Sequence, residues 1–206
     1  MLLLFFILFI IFIVVFYFYY FKPTKTTNLK ELYAEGLDML VSGRRKTAYK
    51  NFKEIVDKDS NNIKGYIRLG QVLREGSNVI KAVKIHKNLL IRKKINSYEK
   101  IELHKNLALD YYVLKHYEKA IDECKKILLI ENNNEWAIHE LIKLYKKNQN
   151  WEEATEYLKM FFEKTGKTDN HKLAMYKIQQ AKIKIKNNDF DDARSVLDKV
   201  LNIQQD

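Results

Sequence analysis

Residues Gly70 to Leu90 read GQVLREGSNVIKAVKIHKNLL. The stretch reads as the end of one helix, a short polar turn at EGSN (75–78) and a second helix. Its spacing recurs along the chain. Small residues stand at Ala48, Ala82, Ala120, Ala154 and Ala193, with gaps of 34, 38, 34 and 39 residues. Further polar turns fall at SGRR (42–45), KNQN (147–150) and KNND (186–189).

A helix–turn–helix period of 34 residues with a small residue in the second helix is the tetratricopeptide (TPR) signature. Aligned on the alanines, repeat one spans about 29–62, repeat two 63–96, repeat three 101–134 and repeat four 135–168. Repeat five begins near His171 or Leu173. Extra residues precede repeats three and five, near Lys94–Tyr98 and Thr165–Asn170, and predict longer loops or extended helices there. Asn150 before Trp151 and Asp189 before Phe190 are candidate helix caps. One Pro and six Gly leave few turns for a β protein. The expected fold is all-α, an N-terminal transmembrane helix followed by a TPR solenoid of about five helix pairs. Such an array buries one continuous core and lines a concave surface with the first helix of each pair. The last helix, about 190–204, still shows apolar Phe190, Val196, Leu197, Val200 and Leu201, so one of its flanks is expected to be exposed.

The N-terminal 21 residues, MLLLFFILFIIFIVVFYFYYF, carry no charge. As a helix they would be about 31 Å long at 1.5 Å per residue, matching a bilayer core of about 30 Å. A secretory signal would need a basic start, a shorter apolar run and small residues before a cleavage site. Here nothing basic precedes the run, and Tyr17 to Phe21 are bulky aromatics suited to a membrane interface. The expected domains are therefore an uncleaved anchor (1–21), a linker (22–28) and a repeat domain (29–206). Pro23 ends the span, and Thr26, Thr27 and Asn28 are candidate caps for the next helix. Lys22, Lys25 and Lys30 lie just beyond it, with Arg44, Arg45 and Lys46 further on. By the positive-inside rule the protein is expected to be single-pass in the inner (cytoplasmic) membrane, with its C-terminal body in the cytoplasm.

The formal charge is +11, from 37 Lys and Arg against 26 Asp and Glu. Cationic stretches occur at Lys84, Lys87, Arg92, Lys93 and Lys94 and at Lys182, Lys184 and Lys186. Acidic residues are interspersed throughout and base-stacking aromatics are sparse in these stretches, so nucleic acid is not the expected partner. A lone Cys124 excludes an intramolecular disulfide and a cysteine-rich zinc module within these residues.

No catalytic residue, cofactor or metal site is expected. The histidines, at 86, 104, 116, 139 and 171, show no i, i+4 pair and no HExxH, and no Gly-rich phosphate loop occurs. His86 falls at the position of Phe52 in repeat one and reads as a packed core histidine. Cys124 falls at the same position in repeat three and reads as a small hydrophobe. The acid pairs Glu152/Glu153 and Asp191/Asp192 sit in first helical turns, where the helix dipole favours them. The function of such a chain lies in the concave face, and in repeats two and three the candidate partner-binding residues are Lys64, Ile67, Gln71, Arg74, Glu102, Lys105, Leu109 and Tyr112. Repeat domains that grip chaperone C-terminal carboxylates carry Lys and Asn at set positions of their first repeat. Tyr33 and Leu37 stand there instead.

The anchor with its short linker leads into YAEGLDMLVSGRRKTAYKNFKEIVDKDSNN (33–62), then LGQVLREGSNVIKAVKIHKNLL (69–90) and LALDYYVLKHYEKA (107–120). This resembles the N-terminal half of the bacterial lipopolysaccharide assembly protein LapB (YciM) family. The most telling residues are Leu69-Gly70, Arg74, Ala82, Ile85-His86, Leu89-Leu90 and the pair Asp110-Tyr111. The resemblance covers about 1–204 and about half of the family's usual length. It implies a non-catalytic inner-membrane adaptor with cytoplasmic repeats, coupling lipopolysaccharide synthesis to proteolysis of an LpxC-type deacetylase by an FtsH-type protease, with lipopolysaccharide transport proteins as further partners. The family's C-terminal zinc module, with two CxxC pairs, has no counterpart in these residues, so its metal ligands are not carried over. The alternative is a TPR protein-protein interaction scaffold for another envelope or secretion complex.

Overall fold

A computed structural model describes residues 2–20 and 28–203. Among them are eleven helices: α1 (Leu2–Tyr20), α2 (Leu29–Val41), α3 (Arg45–Lys58), α4 (Ile63–Glu75), α5 (Val79–Leu90), α6 (Ser97–Val113), α7 (Tyr117–Ile130), α8 (Glu135–Lys147), α9 (Trp151–Thr165), α10 (Asn170–Lys186) and α11 (Phe190–Ile203). From α2 to α11 each helix packs on the next, and α4 also meets α6. The result is a solenoid of five helix pairs, α2/α3, α4/α5, α6/α7, α8/α9 and α10/α11.

The first helix of every pair starts at a capping side chain. Asn28, Asn62, Asn96, Asn134 and Asp169 each accept a hydrogen bond from a backbone N–H of the first turn. At Asn96 the bond is reciprocated by Glu99, closing a capping box. Thr26 and Thr27 lie outside the described residues. The second helices start differently. Asn150 stands at the cap position of α9 but makes no side-chain capping bond. In each pair the turn itself organises the junction. Gly43, Ser77, Lys115, Gln149 and Asn188 all adopt positive φ, between 60° and 71°. The residue after each donates its N–H back to a carbonyl five positions earlier, as in Arg44 to Met39 and His116 to Tyr111, the Schellman closure that satisfies orphan helix carbonyls. Five residues after each turn residue comes the alanine of the period, buried in all five pairs.

The extra residues before repeats three and five become helix. α6 and α10 have 17 residues each, against 13 in α2, α4 and α8. Repeat three accordingly begins at Ser97, four residues earlier than the alanine register places it.

The buried side chains divide into separate clusters. One joins α2, α3 and α4 around Phe52, Ile55 and Leu69; a larger one joins α6 to α10 around Leu107, Ile138, Leu141 and Leu158. Between them, Ile67, Leu89 and Leu103 form only a small patch. The expected single core is thus interrupted at the junction of repeats two and three, where polar side chains take the place of apolar ones. At the far end, Phe190 and Leu201 of α11 are each 61% exposed.

The backbone of α1 is a 19-residue uncharged helix. Its described side chains fall within 6–17 and are all exposed. Over the described residues no helix is long and apolar enough to cross a membrane.

Candidate functional site

The first helices α2, α4, α6, α8 and α10 form one face of the solenoid, and on it the candidate residues separate into two groups. Lys64 and Glu102 stand on either side of a small cavity of about 170 Å³ that also touches Tyr33, Arg68 and Tyr98. Arg68 donates to Gln71 at 2.8 Å and to the Tyr33 hydroxyl at 3.3 Å. Gln71 donates on to Glu75 at 3.0 Å. Lys105 pairs with Glu102 at 3.4 Å and stands 5.6 Å from the Trp136 ring centroid on α8. Tyr112 lies under Lys143 of α8 at 4.6 Å, and Tyr176 of α10 under Lys146 at 5.1 Å. Leu109 is half-buried. Successive first helices are thus stitched by cation–π pairs, each contributing about 0.5–1 kcal/mol at an exposed site.

Ile67 and Arg74 form the second group, and neither is free for a partner. Ile67 is 4% exposed and packs in the patch with Leu89 and Leu103. Arg74, with its side chain 9% exposed, donates to Asp110 Oδ1 at 2.8 Å and to Asn106 Oδ1 at 3.1 Å. The other oxygen of Asp110 accepts from His86 Nδ1 at 2.6 Å, and His86 Nε2 lies 3.3 Å from the Ile67 carbonyl. Arg74 on α4, His86 on α5 and Asp110 on α6 therefore form a buried cluster across the second repeat junction. Gly70 completes it. A Cβ there would stand 2.6 Å from His86 Cε1 and 3.0 Å from Cδ2, so glycine is what lets α4 and α5 close over the ring. His86 is the packed histidine that its register predicts, but it is hydrogen-bonded rather than merely enclosed. A helix-position pattern puts Arg74 on the groove face and does not report Asp110, which lies 36 residues away in sequence. The signal for the cluster was in the register. Counted from the turn residues, Arg74, His86 and Asp110 match Leu40, Phe52 and Val72 one junction earlier, all apolar.

A second polar contact joins α6 and α7. His104 Nδ1 donates to Glu123 at 2.6 Å, and Lys126 donates to the same carboxylate at 2.7 Å. Burial alone would raise the Glu123 carboxyl, but the bonds from His104 and Lys126 outweigh it and hold it below the ordinary value of 4.5. A depressed carboxyl stabilises the fold above its unfolded value, and that contribution is lost as pH falls through the folded one. Glu123→Gln is therefore expected to lower stability at neutral pH, and the gap to the parent to close on acidification below 4.5. Urea titrations at several pH values measure this. A gap indifferent to pH would assign the contact to shape rather than charge.

Cys124 is fully enclosed in the larger core, and burial pushes its thiol up to about 12. That suppresses the thiolate that a nucleophile requires. Tyr33 and Leu37 both face the first core: Tyr33 stands edge-on to Phe52 at 5.6 Å, and Leu37 is half-buried.

No family model matches the chain. Lipopolysaccharide assembly protein B of Escherichia coli (strain K12) is 21% identical over 179 residues, covering 86% of this chain and 46% of that protein. The protein of the same name from Haemophilus influenzae is 23% identical over 188 residues, covering 86% of this chain and 47% of its own length. The chain thus spans about half the length of the curated relatives it matches. Among solved structures, a Podosopora anserina putative kinesin light chain with nearly identical TPR-like repeats superposes with a TM-score of 0.60 at 17% identity. The match covers 85% of this chain and 94% of that one. The fold is a TPR solenoid, and the sequence resembles LapB.

Proposed function

We propose that the chain is a non-catalytic, membrane-anchored TPR adaptor acting in lipopolysaccharide assembly or its regulation. One observation carries this reading. Gly70, Arg74, His86 and Asp110, among the residues on which the LapB resemblance most rests, come from three helices and meet in one buried cluster. A generic array has no need of it, since the preceding junction is built from apolar side chains at the same positions.

The chain divides into an anchor (1–21), a linker (22–28) and a repeat domain (29–206). The uncharged α1 and the lysines after it support a single pass through the inner membrane with the repeats in the cytoplasm. Lys64, Gln71, Glu102, Lys105, Leu109 and Tyr112 present the partner-binding face, with Ile67 and Arg74 supporting it from behind. The partners implied by the resemblance are an FtsH-type protease, an LpxC-type deacetylase or lipopolysaccharide transport proteins.

Cross-linking in cells followed by affinity capture of the full chain from membranes tests this. Recovery of one of those partners is the expected result, with a photo-reactive residue at Gln71 giving the adduct. Recovery of a different envelope or secretion complex, and none of these, would transfer the reading to a TPR scaffold of that complex. Protease protection is expected to spare the repeat domain until the cytoplasmic side is opened.

A further inference from the structure

On the side opposite the first helices, an open trough of about 900 Å³ runs between α3 and α5. Its floor is apolar, with half-buried Leu73 and Ile85 above Leu69 and Val72. Its banks are cationic: Arg45, Lys46, Lys50 and Lys53 on α3, Lys81 and Lys84 on α5. No acidic side chain is among the described residues that line it. Arg45 lies 3.8 Å from Glu75, and Lys53 pairs with Asp57. Lys46, Lys50, Lys81 and Lys84 have no carboxylate partner among the described residues.

The same solenoid supplies an internal control. The equivalent trough, between α9 and α11, holds only about 270 Å³. In register from the turn residues, its floor has Gln180 and Lys184 where the first has Leu69 and Leu73. Its banks have Glu152 and Glu156 in place of Lys46 and Lys50, and Asp192 in place of Lys81. A trough between second helices is thus a consequence of stacking, whereas an apolar floor between lysine banks distinguishes repeats one and two from repeats four and five.

The arrangement of charge selects the occupant. A compact anion such as a phosphate is held by cations converging on it. Here Lys46, Lys50 and Lys53 are strung at i, i+4 and i+7 along one helix and Lys81 and Lys84 at i and i+3 along another. Each step is about one helical turn, roughly 5–6 Å. That periodicity matches carboxylates along the edges of a helix, and the floor matches its apolar stripe. We infer that the trough seats an acidic amphipathic helix of a partner protein, with apolar residues at i, i+3 or i+4 and i+7 on Leu73 and Ile85, and Asp or Glu against the lysine banks. This second docking surface rests on the scaffold reading only in that its occupant is a protein; it does not use the inner face.

The test uses the full chain in nanodiscs and a fluorescent peptide of about 15 residues, long enough to populate a helix. The peptide carries Leu at i, i+3, i+4 and i+7 and Glu along both edges. Saturable binding that weakens with added salt is expected. The double variant Lys50→Glu/Lys81→Glu should bind about tenfold more weakly, while Lys64→Glu on the inner face leaves affinity unchanged. Absence of saturable binding, equal loss in Lys64→Glu, or indifference to the double reversal would overturn the assignment. Displacement of the peptide from the trough by phosphatidylglycerol vesicles would overturn it in favour of an anionic lipid. Partner capture through the inner face does not depend on this trough, so the adaptor reading can stand while this inference fails.

Discussion

Asp110→Ala is expected to destabilise the protein by about 3–5 kcal/mol, because it removes the one acceptor shared by two buried cationic or donor groups. Asp110 is fully enclosed, and its two oxygens take Arg74 at 2.8 Å and His86 at 2.6 Å. Without them, among the described residues, the guanidinium keeps its Asn106 contacts alone, and the imidazole loses its Nδ1 partner. The effect should be local as well as large. In a repeat array stability is roughly a sum of repeat and interface terms, and this junction has only a small apolar patch to fall back on. Denaturation followed by circular dichroism should therefore show two separated transitions in Asp110→Ala, with repeats one and two leaving before the rest. A single transition, shifted by less than about 1 kcal/mol, would mean that the cluster contributes little to joining the repeats. A companion variant separates lost charge pairing from lost packing. Arg74→Leu/His86→Phe/Asp110→Val copies the apolar set Leu40, Phe52 and Val72 of the preceding junction. It should recover most of the stability, since replacing a whole buried ionic set by packed apolar groups is commonly neutral or better.

The repeat period was legible because the alanine is required wherever two helices cross closely, and all five are buried. The turns were legible where their residues were polar and small. The turn at Leu114-Lys115-His116 carries no such signal, yet Lys115 adopts φ 60°. The cap of helix-terminal carbonyls at this junction comes from the backbone, and the side chain only has to tolerate it. Likewise in the EGSN turn the glycine, Gly76, keeps a negative φ, while Ser77 takes the left-handed conformation. The extra residues before repeats three and five could be loop or helix on spacing alone. The capping side chains Asn96 and Asp169 decided for helix by starting α6 and α10 early. The inner face was legible only by position. A pattern of helix positions reports which way a side chain leaves its own helix, not what another repeat brings to meet it. Arg74 and Ile67 leave toward the groove side and are then covered by α6. Of the outer trough's banks, Arg45, Lys46 and Lys84 are legible only as local positive charge, and their alignment is not, for the complementary reason. Each lysine alone is an ordinary solvated residue, and only the packing of α3 and α5 on α4 aligns them over an apolar floor.

Gly70→Ala is expected to cost about 3 kcal/mol or more, against the intrinsic helix preference for alanine of about 1 kcal/mol. Gly70 lies in the middle of α4, where glycine is otherwise unfavourable. The new methyl would meet the His86 ring at 2.6 Å from Cε1. That ring has nowhere to go: it is fully buried, held at Nδ1 by Asp110 and faced at Nε2 by the Ile67 carbonyl. Relief therefore requires α4 and α5 to separate, which strains the Arg74–Asp110 contact as well and exceeds the usual 1–3 kcal/mol of overpacking. Gly36→Ala provides the comparison, since its Cβ would stand 2.9 Å from Phe52, whose ring has no hydrogen bonds to break. It should cost less than Gly70→Ala. The decisive measurement is a double-mutant cycle with His86→Ala, which removes the ring and opens the space that the methyl needs. If the clash is the cause, Gly70→Ala should be close to neutral in that background, giving a coupling of about 3 kcal/mol or more between the two positions. If Gly70→Ala instead stabilises the protein in both backgrounds by the helix-propensity increment, α4 and α5 do not approach each other through His86. The polar junction would then need a different geometry.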